Sequence, residues 1–171
     1  MNKEAINNFI VRKEDKSITL ERSFAAPLAP VWAAWTEADI LCKWWAPAPW
    51  RCVIRSLDFR EGGRWLYAME SPEGVRHWSY FDYETIRPKT SFTGTDGFCD
   101  EHGTPNAAMP MAKWENHFSE SSGQTIVRIE ITYPSVEDME RLLAMGFKEG
   151  IALDFRQLDE LLAANKQAKE A

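Results

Sequence analysis

Between residues 51 and 133, six runs of alternating apolar and polar residues follow one another, and turn signals close most of them. The runs at 51–59, 64–70, 75–86, 90–98, 111–120 and 124–133 read as strands. Glu61-Gly62-Gly63, Ser71-Pro72-Glu73-Gly74, Arg87-Pro88-Lys89 and Ser121-Ser122-Gly123 supply the turns, with Gly and Pro where turn geometry needs them. Connections this short join antiparallel neighbours. Residues 99–110 hold a glycine and two prolines with little periodicity, and read as a long loop. The alternation then gives way to one helical stretch. Ser135 is its N-cap, Glu137 and Asp138 sit in its first turn where the helix dipole favours them, and it is expected to run to about residue 164.

An earlier strand spans 16–24, with Ile18, Leu20 and Arg22 on one side and Thr19, Glu21 and Ser23 on the other; residues 9–13 could extend it. Pro30 suits the first turn of a short helix that carries Val31, Trp32 and Trp35. Thr36 reads as the N-cap of a second short helix, with Asp39 three residues on, ending near Lys43 before Pro47 and Pro49. Strand, two short helices, six strands and one long helix describe an α+β domain. Residues 17–164 form that single domain, with a loose polar arm at 1–16 and a frayed tail at 165–171.

The net charge of −6 disfavours nucleic acid, whose phosphates call for a basic surface. No apolar run reaches the length of about 18 residues that a membrane span needs. The N-terminus lacks the apolar core of a secretory signal, so a cytoplasmic location is expected. Cys42, Cys52 and Cys99, an odd number with no CxxC pair, read as reduced thiols and suggest neither a disulfide framework nor a zinc knuckle.

Eight tryptophans, nine phenylalanines and four tyrosines could fill a large core or line a cavity. On a helical wheel Met139, Leu143, Gly146, Gly150, Leu153, Asp154, Gln157 and Leu161 share one face of the long helix. Each glycine inside a helix costs about 1 kcal/mol against alanine, so two on the buried stripe imply a close approach of the sheet, or space taken by a bulky aromatic or a ligand. Trp65, Tyr67 and Met69 alternate on one strand, and Trp114, Asn116 and Phe118 on another, beside Val127, Ile129 and Ile131. The strand at 75–86 turns inward either His77, Ser79 and Phe81 or Trp78, Tyr80 and Asp82. Of Trp44 and Trp45, one should anchor the short helices and the other should meet the pocket rim or a partner.

In order along the chain come Ala26-Pro27, Val31-Trp32, Ala34-Trp35-Thr36, Trp44-Trp45-Ala46-Pro47, Asp58-x-Arg60-x-Gly62-Gly63-x-Trp65 and Met145-Gly146-Phe147-x-x-Gly150. This set resembles the bacterial branch of the family named for activators of the heat-shock-protein-ninety ATPase, within the START-like (polyketide cyclase and lipid-transfer-like) superfamily. The likeness covers 18–162; Ala46 stands where the family usually has glycine, and Ile151 where an aromatic is frequent. It implies a helix-grip fold: a curved antiparallel sheet of about seven strands around the C-terminal helix, with an apolar cavity between them. It names no ligand.

No GxSxG, P-loop, GxGxxG or HExxH pattern is present. Cys99-Asp100-Glu101-His102 reads as a solvated loop, and no catalytic residue, metal site or cofactor is assigned. Among the acids considered, Asp39 has a capping role and Asp58 faces Arg60; Asp154, on the sheet-facing side of the helix, is the acid singled out. Three functions compete. The first is noncatalytic binding of a small hydrophobic or amphipathic molecule, with Trp35, Trp44, Trp65, Tyr67, Met69, Trp78, Tyr80, Trp114, Asn116, Phe118, Met139, Leu143 and Phe147 as candidate contacts. The second is a cofactor-free cyclase- or hydrolase-like enzyme, which needs two or more of His77, Asn116, Tyr80 and Asp154 to converge. The third, implied by the family name alone, is a chaperone partner and a stress-related role. An exposed indole near Trp44-Trp45 would offer a homodimer surface.

Overall fold

The computed structural model describes residues 8–170 and gathers the alternating runs into one curved antiparallel sheet of eight strands. They are β1 (Asn8–Arg12), β2 (Ser17–Phe24), β3 (Arg51–Leu57), β4 (Arg64–Glu70), β5 (Arg76–Arg87), β6 (Ser91–Cys99), β7 (Ala112–Ser121) and β8 (Gln124–Thr132), in the spatial order β1-β2-β8-β7-β6-β5-β4-β3. The chain from β3 to β8 is a meander of nearest neighbours, with a longer loop only between β6 and β7 among the described residues. β2 closes against β8 from the far side. The expected loose arm is corrected in part: its residues 8–12 form an edge strand paired with β2 from Asn8–Glu21 to Arg12–Ser17, and residues 1–7 lie outside the described ones. This raises the strand count from seven to eight.

Helix α1 (Leu28–Thr36) carries Pro30 in its first turn, and α2 (Ala38–Leu41) follows. Thr36 does not cap α2: it ends α1, and its hydroxyl donates to the Trp32 carbonyl at 2.9 Å. Ser135 does cap α3 (Val136–Ala144), accepting from the Asp138 N–H at 3.1 Å. The single long helix is corrected to two. Met145 and Gly146 interrupt it, and α4 (Phe147–Glu170) then continues beyond the expected end at residue 164. Gly146 has φ +91°, a left-handed conformation that terminates helices and that glycine adopts without a Cβ penalty.

The core lies between the inner face of β2, β7 and β8 and the helices α1 and α4. Ile18, Leu20, Phe24, Val127, Ile129 and Ile131 are fully buried there with Phe155 and Leu158. Trp35 is the hub: its ring lies 5.8 Å from Phe24, 4.7 Å from Trp44 and 5.3 Å from Phe118, all edge-to-face. Such pairs contribute about 0.5–1.5 kcal/mol each beyond area burial. Arg22 enters this face to meet Asp159 of α4 at 3.1 Å. The aromatic load continues this core across β4–β6, where Phe81, Tyr83 and Phe92 pack with Phe59, and leaves a hollow beside it under α3 and α4.

Candidate functional site

The hollow is a cavity of about 270 Å³ between β4–β7 and the junction of α3 with α4. An apolar cavity of about 150 Å³ already admits benzene. Tyr67 and Met69 of β4, His77 and Ser79 of β5, Asp96 and Phe98 of β6, and Ala112 and Trp114 of β7 form its sheet wall. Trp45 and Pro47 close one side. Leu142 lies in the last turn of α3 and Met145 at the break, and Phe147, Gly150, Ile151 and Asp154 follow at i, i+3, i+4 and i+7, one face of α4. A void of about 20 Å³ beneath, bounded by Trp35, Trp65, Phe81, Tyr83, Phe92 and Asn116, shares Trp45, Tyr67, Asp96 and Trp114 with the cavity.

Gln157 of α4 holds the Trp45 side in place. Its amide nitrogen donates to the carbonyls of Trp44 at 3.0 Å and Ala46 at 2.8 Å, and its oxygen accepts from the Ala48 N–H at 2.9 Å. The two indoles divide their work. Trp44 is fully buried and donates to the Ala34 carbonyl at 2.9 Å, anchoring α1 to the following loop. Trp45 faces the cavity and is not an exposed indole.

Gly150 gives the cavity its room. A Cβ there would meet only Pro47 Cγ, at 4.0 Å. The helix glycines thus differ: Gly146 turns the chain and Gly150 leaves space, and neither lets the sheet approach closely.

The sequence candidates separate accordingly. Tyr67, Met69, Trp114 and Phe147 line the cavity. Trp35, Trp65 and Asn116 border the small void instead. Trp44, Phe118 and Met139 belong to the packed core, and Leu143 packs against it. Trp78 and Tyr80 lie on the opposite face of β5 from His77, Ser79 and Phe81. There Tyr80 is buried outside the cavity, under the Arg64 guanidinium at 4.6 Å and across Gly97, where a Cβ would fall 2.6 Å from the Tyr80 hydroxyl. The break at Gly146 rephases the helix, which is why Leu142 and Met145 face the cavity and Leu143 does not; Leu153 is 41% exposed.

Two carboxyls open onto this largely apolar space. Asp154 is 3% exposed, and burial pushes its pKa up to about 8. Asp96 is half-buried; burial raises it to about 7, held down by the Trp114 indole and the Ala112 N–H. The sequence reading missed Asp96, although its alternation with Phe92 and Phe98 on β6 puts it on their face. Burial, with the nearby Cys42 and Asp154, raises the Cys52 thiol to about 12, which keeps it protonated and unreactive. Asp58 pairs with Arg60 at 2.7 Å on the surface, away from the cavity.

Among the described residues, four buried side-chain atoms lack a hydrogen-bond partner: the indole nitrogens of Trp45, Trp65 and Trp114, and Asp154 Oδ1. All four residues border the cavity or its adjoining void. The Trp45 and Trp114 nitrogens lie beside the Tyr67 hydroxyl and the Asp96 carboxyl without normal hydrogen-bond geometry. No group of metal-ligating side chains and no helix long and apolar enough to cross a membrane occurs among the described residues.

No curated protein matches the chain. Among solved structures, protein Ms6760 from Mycobacterium smegmatis is similar, with 30% identity and a TM-score of 0.85 over 92% of this chain and 96% of that one. A protein from Arthrobacter aurescens shares 27% identity with a TM-score of 0.86, covering 92% of each chain. CalU16 from Micromonospora echinospora, at 20% identity and a TM-score of 0.57 over 90% of this chain and 82% of that one, shares the fold alone. The family described as Activator of Hsp90 ATPase homolog 1-like protein matches residues 25–163, and the chain belongs to it.

Proposed function

We propose that the protein binds one small hydrophobic or amphipathic molecule in the cavity between the sheet and the α3–α4 junction. The observation that carries this is the concentration of unpartnered buried polar atoms around the hollow. Interiors pair nearly all such groups, and each one left unmade costs about 1–3 kcal/mol. A ligand that covers the aromatic walls and reaches these atoms recovers part of that cost. The START-like fold commonly binds hydrophobic ligands, which supports the same reading. The test is native mass spectrometry of the purified chain, then titration of the emptied protein with apolar compounds, read by tryptophan fluorescence. One molecule per chain and a change in indole emission are expected. A protein that takes up nothing across aromatic and aliphatic series refutes the proposal.

A second reading, cofactor-free catalysis, is favoured by the presence of His77, Asp96 and Asp154 around one cavity. An acid that stays protonated near neutral pH can serve as a general acid toward a bound substrate. Turnover of a bound compound that is lost in Asp96→Asn or Asp154→Asn, with binding retained, would establish it. A chaperone role is tested separately, by stimulation of a heat-shock ATPase.

A further inference from the structure

We infer that the ligand of this cavity carries a basic amine, and that its protonated nitrogen is held by the Asp154 carboxylate. The inference rests on the proposed binding of a small apolar molecule and names its polar end. Asp154 projects into the cavity from α4, is 3% exposed, and has an oxygen with no partner among the described residues. Two other polar groups of the wall have a neighbour within the chain: Asp96 has the Ala112 N–H, and Tyr67 has Ser79. Among the described residues, no lysine or arginine lines the cavity. The titratable groups around Asp154 are Cys52 beside it and Tyr67, His77, Asp96 and Tyr133 on the cavity wall. None of these is a permanent cation, so the described residues offer the acid no fixed counter-charge.

An asparagine of the same shape could offer a ligand hydrogen bonds without the cost of a buried acid. A carboxyl gains over it when the ligand brings positive charge. The rest of the wall suits such a ligand: the rings of Trp45, Tyr67, Trp114 and Phe147 present faces that attract cations. The chain's net charge of −6 draws a cation toward the protein and repels fatty-acid carboxylates. Asp154 is largely protonated near neutral pH in the empty protein, so an incoming ammonium forms the ion pair while the carboxyl proton leaves to solvent.

The experiment compares phenylbutylamine, phenylbutanol and phenylbutyrate, matched in length, against the full chain near neutral pH by calorimetry in buffers of different ionisation enthalpy. The amine is expected to bind at least about tenfold tighter than the alcohol, the margin of a charge-assisted over a neutral hydrogen bond. It is expected to release close to one proton, and the butyrate to bind weakest. In Asp154→Asn, whose folding is checked by circular dichroism, the amine preference and the proton release disappear while the alcohol still binds. Equal binding of amine and alcohol, or a preference that survives in Asp154→Asn, overturns the inference and leaves the apolar-ligand reading standing. Failure of all three probes to bind overturns both.

Discussion

Replacing Asp154 by asparagine should stabilise the protein, and the gain should grow with pH in a defined window. The carboxyl ordinarily titrates near 3.8, and burial in the fold raises it to about 8. Below pH 4 the acid is neutral in both folded and unfolded chains and adds no pH-dependent penalty. Between these values the folded state holds a proton that the unfolded state has released, so rising pH favours unfolding by about 1.4 kcal/mol per pH unit. Above pH 8 both states are ionised and the penalty stops growing. At neutral pH the window is about three units wide, which gives a penalty on the order of 4 kcal/mol. Asparagine has no such proton to lose. Urea denaturation of both proteins at acid, neutral and alkaline pH measures the difference directly. Equal stability is expected near pH 4, and a widening advantage of the variant up to about pH 8. A constant difference across that range, or a variant less stable at neutral pH, would refute the placement of Asp154 as an uncompensated buried acid.

Gly150→Leu should fill the cavity from α4, since its first side-chain carbon meets only Pro47. The helix gains about 1 kcal/mol from losing a glycine while fluorescence-detected ligand uptake vanishes; a destabilised protein, or one that still binds, counts against the geometry. Gln157→Ala removes three hydrogen bonds to the 44–48 segment and should lower the urea-derived stability by about 2–3 kcal/mol. A loss below the error of the fit would show that the segment holds itself. Gly146→Ala forces alanine to φ +91° and should cost about 1–2 kcal/mol, visible as a drop of a few degrees in the thermal midpoint; an unchanged midpoint would mean the helix break is not required.

Local patterning in the chain sets the elements and most of their inward faces. Alternation of Trp65 with Tyr67 and Met69, and of Trp114 with Asn116 and Phe118, is local information, because successive side chains on a strand point to opposite faces. The Ser135 cap is local in the same way: its hydroxyl meets an N–H three residues along. Long-range packing settles what local pattern leaves open. β5 carries large residues on both faces, so its own pattern is silent, and only Arg64 and Gly97 explain why Tyr80 packs on the outside. The choice between Trp44 and Trp45 depends on a carbonyl ten residues back, at Ala34, and on Gln157 more than a hundred residues ahead. Both glycines near the start of the final helix looked alike in the wheel, yet one bends the chain and the other leaves a hollow, because backbone angle and neighbouring volume are set by what packs across the sheet. That non-local packing also brings Asp96 and Asp154, far apart in the chain, to one cavity and takes their charges out of water.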